Sequence, residues 1–395
     1  MISPKDAEQL INACSITTEE EFTQLELALG RTLAEPLQAD TALPPFDRVM
    51  MDGIALSYAT IEAGVRSFRV QALQRAGQPP ITLANDNMCI EVMTGAVCPI
   101  GCDTVVPYEH IRLEDDVAHV EIPPTAPCKN VHRTGSDKRL GEVLVESGTS
   151  ITPSEVGIAA SIGKANLRVY RLPRILICST GDELVAIDQV PLSHQIRRSN
   201  VYALRAMIQG LGLNADITHL PDDHEVLTTN LKRAAERYEV IILSGGVSKG
   251  KFDLLPGVLN SLGIETIFHG IAQRPGKPMW FGKNARVHVF ALPGNPVSTL
   301  ACAARYVQPW LAKQLKRENR LNWVRMKETI QPHENMTLFI PVILQSHRQG
   351  LVGRAISHKG SGDFSALSGI DGFIEVPEGS SAIELESQLL FYPIN

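Results

Sequence analysis

The sequence predicts a multidomain protein of the α/β plus β class, and three observations carry that reading. From about Arg168 short apolar runs alternate with helical segments, the pattern of a parallel sheet joined by right-handed crossovers. Residues 40–128 instead alternate brief apolar runs with turns and carry prolines at 44, 45, 79, 80, 99, 107, 123, 124 and 127, the texture of a small β-rich domain. After about Arg317 the chain returns to short strands and reads as an all-β terminal domain. At 395 residues, 44% apolar and 20% charged, it has room for roughly two to four packed domains.

The elements follow from local chemistry. Ser3-Pro4 is a cap followed by proline at the first helical position, and Leu10, Ile11 and Cys14 continue an apolar stripe, so a helix starts the chain. Thr18-x-x-Glu21 reads as a capping box and predicts a second helix ending near Gly30. Residues 68–73 and 119–122 read as strands, and Thr152-Pro153-Ser154-Glu155 opens a capped helix that ends near Gly163. In the α/β part, strands are expected at 175–178, 216–220 and 240–243, with helices at about 200–212, 224–238 and 296–316. Strands at 336–340 and 372–377 come after these.

Composition excludes several classes. The net charge is −6, with no strongly basic half, so nucleic acid is not an expected partner. No stretch approaches the ~20 apolar residues needed to cross a bilayer, and the first residues lack the basic head and apolar core of a signal peptide. The seven cysteines, at 14, 89, 98, 102, 128, 178 and 302, are scattered and odd in number, which fits a reduced, cytoplasmic protein. Cys98-x3-Cys102 with Cys89 and Cys128 does not have zinc-ribbon spacing, so a metal site there is not expected. Walker A, G-x-G-x-x-G, G-x-S-x-G and H-E-x-x-H patterns are all missing, which removes P-loop, nicotinamide, acyl-hydrolase and zincin readings.

The chemistry gathers in loops. Ser244-Gly245-Gly246-Val247-Ser248-Lys249-Gly250-Lys251-Phe252-Asp253, Arg274-Pro275-Gly276-Lys277-Pro278 and Leu292-Pro293-Gly294-Asn295-Pro296-Val297-Ser298 each come after a short apolar run. Glycine lets the backbone approach a ligand, and successive N–H groups at a helix start bind anions. Any one loop is ordinary strand-to-helix punctuation. Together, with two lysines, an arginine and an aspartate, they suggest a pocket for a phosphate-bearing ligand beyond the carboxyl ends of the strands. Ser179-Thr180-Gly181-Asp182-Glu183 and Asp222-Asp223 fall at the same edge. Isolated aspartates favour turns for local reasons. Asp182, Glu183, Asp223 and Asp253 at one edge suit a Mg²⁺ ion bridging to phosphates. Thr94 in Val92-Met93-Thr94-Gly95 could hold an oxyanion with its hydroxyl and the next N–H.

In this order the loops resemble the molybdopterin molybdenumtransferase family, which includes bacterial MoeA proteins and the E domain of gephyrin. The resemblance runs over nearly the whole chain, through Pro44-Pro45-Phe46-Asp47-Arg48-Val49-Met50-Met51-Asp52-Gly53, Val92-Met93-Thr94-Gly95-Ala96, Arg133-Thr134-Gly135-Ser136-Asp137, Ser179-Thr180-Gly181-Asp182-Glu183-Leu184, Ser199-Asn200, Asp222-Asp223 and the three loops. It implies an N-terminal linking domain from 1–39 and 129–167, a β-rich domain at 40–128, a three-layer α/β molybdopterin-binding domain at 168–313 and a β-barrel-like domain at 314–395. It implies insertion of molybdenum from molybdate into adenylylated molybdopterin with release of AMP, with Mg²⁺ as cofactor. The implied assembly is a homodimer whose active site is shared between subunits, and the implied partners are the molybdopterin adenylyltransferase and molybdoenzyme chaperones.

By position, Asp52, Thr94, Asp137, Glu183 and Asp253 would be catalytic, and Glu183, Asp223 and Asp253 would hold the metal. Thr180, Gly181, Asp182, Asn200, Ser244, Gly245, Gly246, Ser248, Arg274, Lys277, Pro293, Asn295 and Pro296 would bind the cofactor. The chain departs from the family at Gly270 and Arg274, where lysines are common. Arginine keeps charge with planar geometry, whereas glycine removes a charge. Two alternatives stay open on that account: adenylyl transfer from ATP to molybdopterin, and a cofactor-binding scaffold without turnover.

Overall fold

The computed structural model describes every residue except Thr18, 248–253, 318–321, Gln349, 357–359, Ser361, Ser380 and Asn395. The chain divides into two compact units, one made of 1–21, 30–32 and 169–395 and the other of 22–29 and 33–168.

The larger unit is built on a six-stranded sheet in the order Ala215–Leu220, Ile175–Thr180, Val240–Ser244, His288–Leu292, Trp280–Lys283, Glu265–His269. The first four strands run parallel, and Trp280–Lys283 is antiparallel to both of its neighbours. The central strands Ile175–Thr180, Val240–Ser244 and His288–Leu292 are buried throughout because both faces of the sheet are covered. Side chains alternate between two cores. Ile175, Ile177, Val240 and Ile242 meet Val201, Leu204 and Ile208 on one face, joined by Ala7 and Ile11 of the N-terminal helix. Leu176, Cys178, Ile241 and Leu243 meet Leu227, Leu231, Val258 and Leu259 on the other. The helices Asn200–Gly210 and His224–Arg237 lie where the periodicity places them, and Asp223 caps the second by accepting from Val226 N–H at 2.9 Å.

The helix expected at 296–316 begins at Pro296 and runs to Gln314, but residues Ala303–Val307 form a π-helical turn. Pro309 explains it. Proline has no N–H to give the carbonyl four residues back, and its ring crowds that carbonyl. Gln308 N–H accordingly bonds to Ala303 O, five residues back.

The C-terminal strands close on themselves. Thr337–His347 pairs with both Gly350–Ala355 and Gly372–Val376, and Asn322–Met326 and Gln388–Pro393 complete the ring. This barrel has its own core of Val324, Met326, Val342, Ile374, Val376 and Phe391, while Phe339, Phe373 and Tyr392 pack into the core of the α/β sheet. Arg305, only 4% exposed, sits among these elements. Its guanidinium bonds to Glu8 and Glu375, each at 2.9 Å, and lies over the Tyr392 ring at 4.7 Å. A charge so placed is tolerable only because it is paired on two sides.

The smaller unit centres on a second six-stranded sheet, Thr104–Pro107, Gly53–Leu56, Met88–Val92, Ser67–Gln74, Val117–Val120, Ile111–Glu114, with cores on both faces. The expected capped helix is present as Pro153–Ser161, with Thr152 and Glu155 forming a capping box. The expected helix at 18–30 is a correction. Thr18 lies outside the described residues, and the segment after it forms a strand, Glu20–Gln24, then a short 3₁₀ turn, Leu25–Leu27. Glu21 and Thr23 face inward and Glu20, Phe22 and Gln24 outward, a period of two that fits a strand.

Glu239, just before the strand Val240–Ser244, fixes how the central strands enter the sheet. It accepts from Arg174 N–H at 2.7 Å, from Arg174 Nη2 at 2.6 Å and from Arg171 Nη2 at 3.2 Å. Burial pushes its carboxyl up, but the bonds from Arg174 and Arg171 outweigh burial and take it from 4.5 to about 2. A depressed folded value means that this stabilisation is complete above pH 4.5 and is lost as pH falls towards 2. Glu239→Gln is therefore expected to lower stability by about 1–2 kcal/mol at pH 7, with the gap to the wild type shrinking by pH 3. Denaturant unfolding at both pH values checks this; a gap that stays constant contradicts it.

Candidate active site

In the α/β sheet the first strand lies between the second and third, so the strand order reverses direction between Ile175–Thr180 and Val240–Ser244. A crevice outside the carboxyl ends at such a reversal is where open α/β sheets bind ligands. Thr180 and Ser244 end the two strands. Beyond Ser244 the chain crosses close over the first strand: a Cβ on Gly245 would stand 2.7 Å from Thr180 O, and one on Gly246 would stand 2.7 Å from Leu255 Cδ1 and 3.0 Å from Thr180 Oγ1. Their φ angles of 108° and 66° are also in the left-handed region. Only glycines fit here.

Thr180 Oγ1 faces this loop, is buried, and has no hydrogen-bond partner among the described residues. Asn200, at the start of its helix, ties the edge together. Its Nδ2 lies 3.0 Å from Ser244 Oγ, 2.7 Å from Gly294 O and 3.1 Å from Thr299 Oγ1. Thr299 Oγ1 in turn donates to Pro293 O at 2.6 Å. Gly245 N–H donates to Leu292 O at 3.1 Å, so it joins the loops to each other and is not a free anion donor as expected. The 244–247 and 292–298 segments are thus one cross-linked edge.

The loop Arg274–Pro278 shares a cavity of about 1000 Å³ with Pro293, Asn295 and Ser298. The opposite wall comes from the barrel: Glu328, Gln331, His333, Met336, Leu338 and Ile340. Arg274 and Lys277 are exposed, while Pro275 and Gly276 between them are buried. The loop therefore anchors its backbone and presents its cations. Pro296 starts the following helix, with Asn295 at its cap position.

The acidic residues at the edge separate into different jobs. Gly181 has φ 136°, and a Cβ on it would meet Glu183 Oε2 at 2.5 Å, so the Glu183 carboxylate folds over the glycine. Asp182 Oδ1 accepts from Asp222 N–H at 3.1 Å. Asp223 Oδ1 caps its helix, as set out above. Among the described residues no three His, Cys, Asp or Glu side chains converge as a cation site. Ser248 and Asp253 lie outside the described residues. The strand ends also hold His219, which no motif signalled. His219 Nδ1 lies 3.0 Å from Ser179 Oγ, and burial followed by the nearby Arg198 charge pushes its pKa down. Strand pairing Ser179↔His219 would have found this contact, had the register been readable from sequence.

In the smaller unit Thr94 N–H and Thr94 Oγ1 both donate to Asp52 Oδ1 at 2.7 Å, and these bonds, the backbone one first, hold the Asp52 carboxyl below its ordinary value. Gly95 N–H donates to Val49 O at 2.9 Å. The donors expected to hold an oxyanion at Thr94 thus already serve Asp52 and Val49. Tyr108 OH donates to Glu91, and Tyr108 N–H bonds to Asp52 O at 3.2 Å, so a second polar pair adjoins Asp52. Asp137 Oδ1 lies 2.8 Å from His132 Nε2, and His132 Nδ1 lies 3.3 Å from Arg48. Arg48 and His132 are direct register partners, so the Asp137 carboxylate bonds to a side chain of that short ladder.

A doubly wound sheet with a glycine loop over its reversal point, followed by a closed barrel, defines a multidomain α/β protein with a ligand crevice at the carboxyl edge of its sheet. Family models match along the chain: "MoeA N-terminal region (domain I and II)" at residues 2–163, "Probable molybdopterin binding domain" at 176–313 and "MoeA C-terminal region (domain IV)" at 324–385. A molybdopterin molybdenumtransferase from Synechocystis sp. is 39% identical over 99% of this chain and 100% of its own. Another so named, from Haemophilus influenzae, is 32% identical over 77% and 75%. A molybdopterin biosynthesis MoeA protein from Pyrococcus horikoshii superposes with a TM-score of 0.85 at 25% identity, covering 100% of both chains. The chain belongs to the molybdopterin molybdenumtransferase family.

The geometry yields two expectations. Gly245→Ala should cost about 1–3 kcal/mol by forcing a methyl against Thr180 O; thermal unfolding within error of the wild type would contradict it. Thr94→Val removes one of the two bonds to Asp52, so the Asp52 carboxyl should titrate at higher pH than in the wild type. Carboxyl ¹³C NMR reads this directly, and an unmoved or lower value would refute the role of Thr94.

Proposed function

We propose that the protein is a molybdopterin molybdenumtransferase: it takes adenylylated molybdopterin and molybdate, releases AMP and leaves molybdenum on the dithiolene sulfurs. The observation that carries this most is the cavity in which Arg274 and Lys277 face the Pro293–Asn295–Ser298 edge. A dianion in a chain of net charge −6 must be held by local cations, and these two line a recess of about 1000 Å³. The pterin phosphate would sit on Gly246 and Val247, with Thr180 Oγ1 supplying a hydroxyl; that buried oxygen otherwise lacks a partner among the described residues. Ser244, Asn200 and Asn295 would shape this edge, and Gly181, Asp182, Pro293 and Pro296 its walls.

Asp52, kept ionised by Thr94, would supply a carboxylate for the phosphoanhydride cleavage, together with Asp137, Glu183 and Asp253. Breaking that bond needs developing charge to be neutralised. Magnesium is the ion the family resemblance implies. The described carboxylates do not form its site by themselves, since no three His, Cys, Asp or Glu side chains converge among the described residues. The roles given to the protein's own side chains do not depend on it. We further propose a cytoplasmic homodimer of four-part subunits, divided at 40, 129, 168 and 314, with each site completed by Asp52 and Thr94 of the partner. No helix among the described residues is long and apolar enough to cross a membrane.

Incubation with adenylylated molybdopterin should release AMP only when molybdate is added. AMP release that ignores molybdate, or pyrophosphate release from ATP and unadenylylated molybdopterin, would overturn the assignment. Mixing Asp52→Ala with Asp253→Ala subunits should restore part of the activity, because one intact site forms per mixed dimer; no recovery contradicts the shared site.

A further inference from the structure

Gln273 is fully buried, yet it immediately precedes the exposed Arg274. A buried amide must be satisfied, and the way this one is satisfied joins the cationic loop to the helix beneath it. Gln273 Nε2 donates to Pro275 O at 3.0 Å and lies 3.5 Å from Cys302 Sγ. Gln273 Oε1 accepts from Tyr306 OH at 2.5 Å, and Tyr306 is only 2% exposed. Cys302 immediately precedes the π-helical turn Ala303–Val307, and Tyr306 lies within it. A π turn shifts the side chains after it around the helix, and such turns cluster at functional positions.

The loop has no slack against this support. Gly276 has φ 98°, and a Cβ there would meet Cys302 Sγ at 2.4 Å and Gln273 Nε2 at 2.5 Å. On its other side the loop is stitched to the barrel, where Gln273 and Arg274 pair with Thr337 and Leu338 and Thr337 N–H donates to Ala272 O at 3.0 Å. Ile271 N–H closes the loop by donating to Lys277 O at 2.9 Å. The backbone that carries Arg274 and Lys277 is therefore held by a buried polar relay, Tyr306 to Gln273 to Pro275 O.

We propose that Tyr306 and Gln273 are positioning residues that set the spacing of Arg274 and Lys277 for a tetrahedral oxyanion such as molybdate, and so govern oxyanion affinity. This rests on the reading of the cavity as the oxyanion site. Neither residue touches the ligand; both act through the loop. Small displacements of bidentate groups weaken recognition of a rigid anion steeply.

The test uses the full-length protein with molybdate and adenylylated molybdopterin as probes. Tyr306→Phe keeps the ring and removes the hydroxyl; Gln273→Met keeps the length and removes both polar atoms. Each is expected to raise the KM for molybdate about tenfold while the KM for adenylylated molybdopterin stays within twofold, and the double variant should be no worse than Gln273→Met. Thermal unfolding run alongside separates a loosened fold, which would raise both KM values together and overturn the proposal. Unchanged molybdate KM in both variants also overturns it. Arg274→Ala and Lys277→Ala serve as the reference. If they weaken molybdate and Tyr306→Phe does not, the relay is wrong; if they too have no effect, the oxyanion cavity itself is wrong.

Discussion

The close passage of Gly245 and Gly246 over the end of the strand Ile175–Thr180 is the constraint on which the site depends. A side chain at either position would collide with Thr180 or Leu255. Because the loop lies so near, Gly245 N–H reaches Leu292 O, and Asn200 bridges Ser244, Gly294 and Thr299. Those bonds bring the loops after two adjacent parallel strands into one surface. The cavity beside them inherits that rigidity through Pro293 and Asn295.

Most of the α/β framework was legible because its signals are local. Apolar runs such as 240–243 and capped helices such as 224–237 declare themselves through composition and end chemistry, and the structure has them within a residue or two. The 18–30 segment misled because a capping-box pattern is only four residues long, whereas the alternation of Glu21 and Thr23 with their outward neighbours decided the outcome. The π turn was hidden for a related reason: Pro309 was visible, but a proline can end a helix, kink it or be absorbed by one longer bond, and packing selects among these.

The loops at the carboxyl edge of the sheet were legible as motifs and not as a set of contacts. Glycine-rich loops mark where a backbone must come close, so Gly245, Gly246 and Gly276 could be picked out. Their neighbours in space depend on register and on pairing between distant segments. Hence the partners of the donors expected at Thr94 and Gly95, Asp52 and Val49, and the cap that Asp223 Oδ1 makes to its helix emerge only from the fold. Gln273, Tyr306 and His219 carried no signal, since a buried polar residue in an apolar run looks like an interruption until its partner is known. The family departure at Gly270 has a local cause as well. Its φ of 93° is one that lysine adopts only under strain, so the missing lysine fits the turn into the loop.

The proposed oxyanion site is the cavity between the Arg274–Pro278 loop and the barrel. Crystals grown with tungstate test it most directly, since the heavy atom is located by its anomalous scattering without assumptions about the pterin. A single strong peak within hydrogen-bonding reach of Arg274 and Lys277 is the predicted result. A peak elsewhere on the chain, with that cavity empty at saturating tungstate, would contradict it.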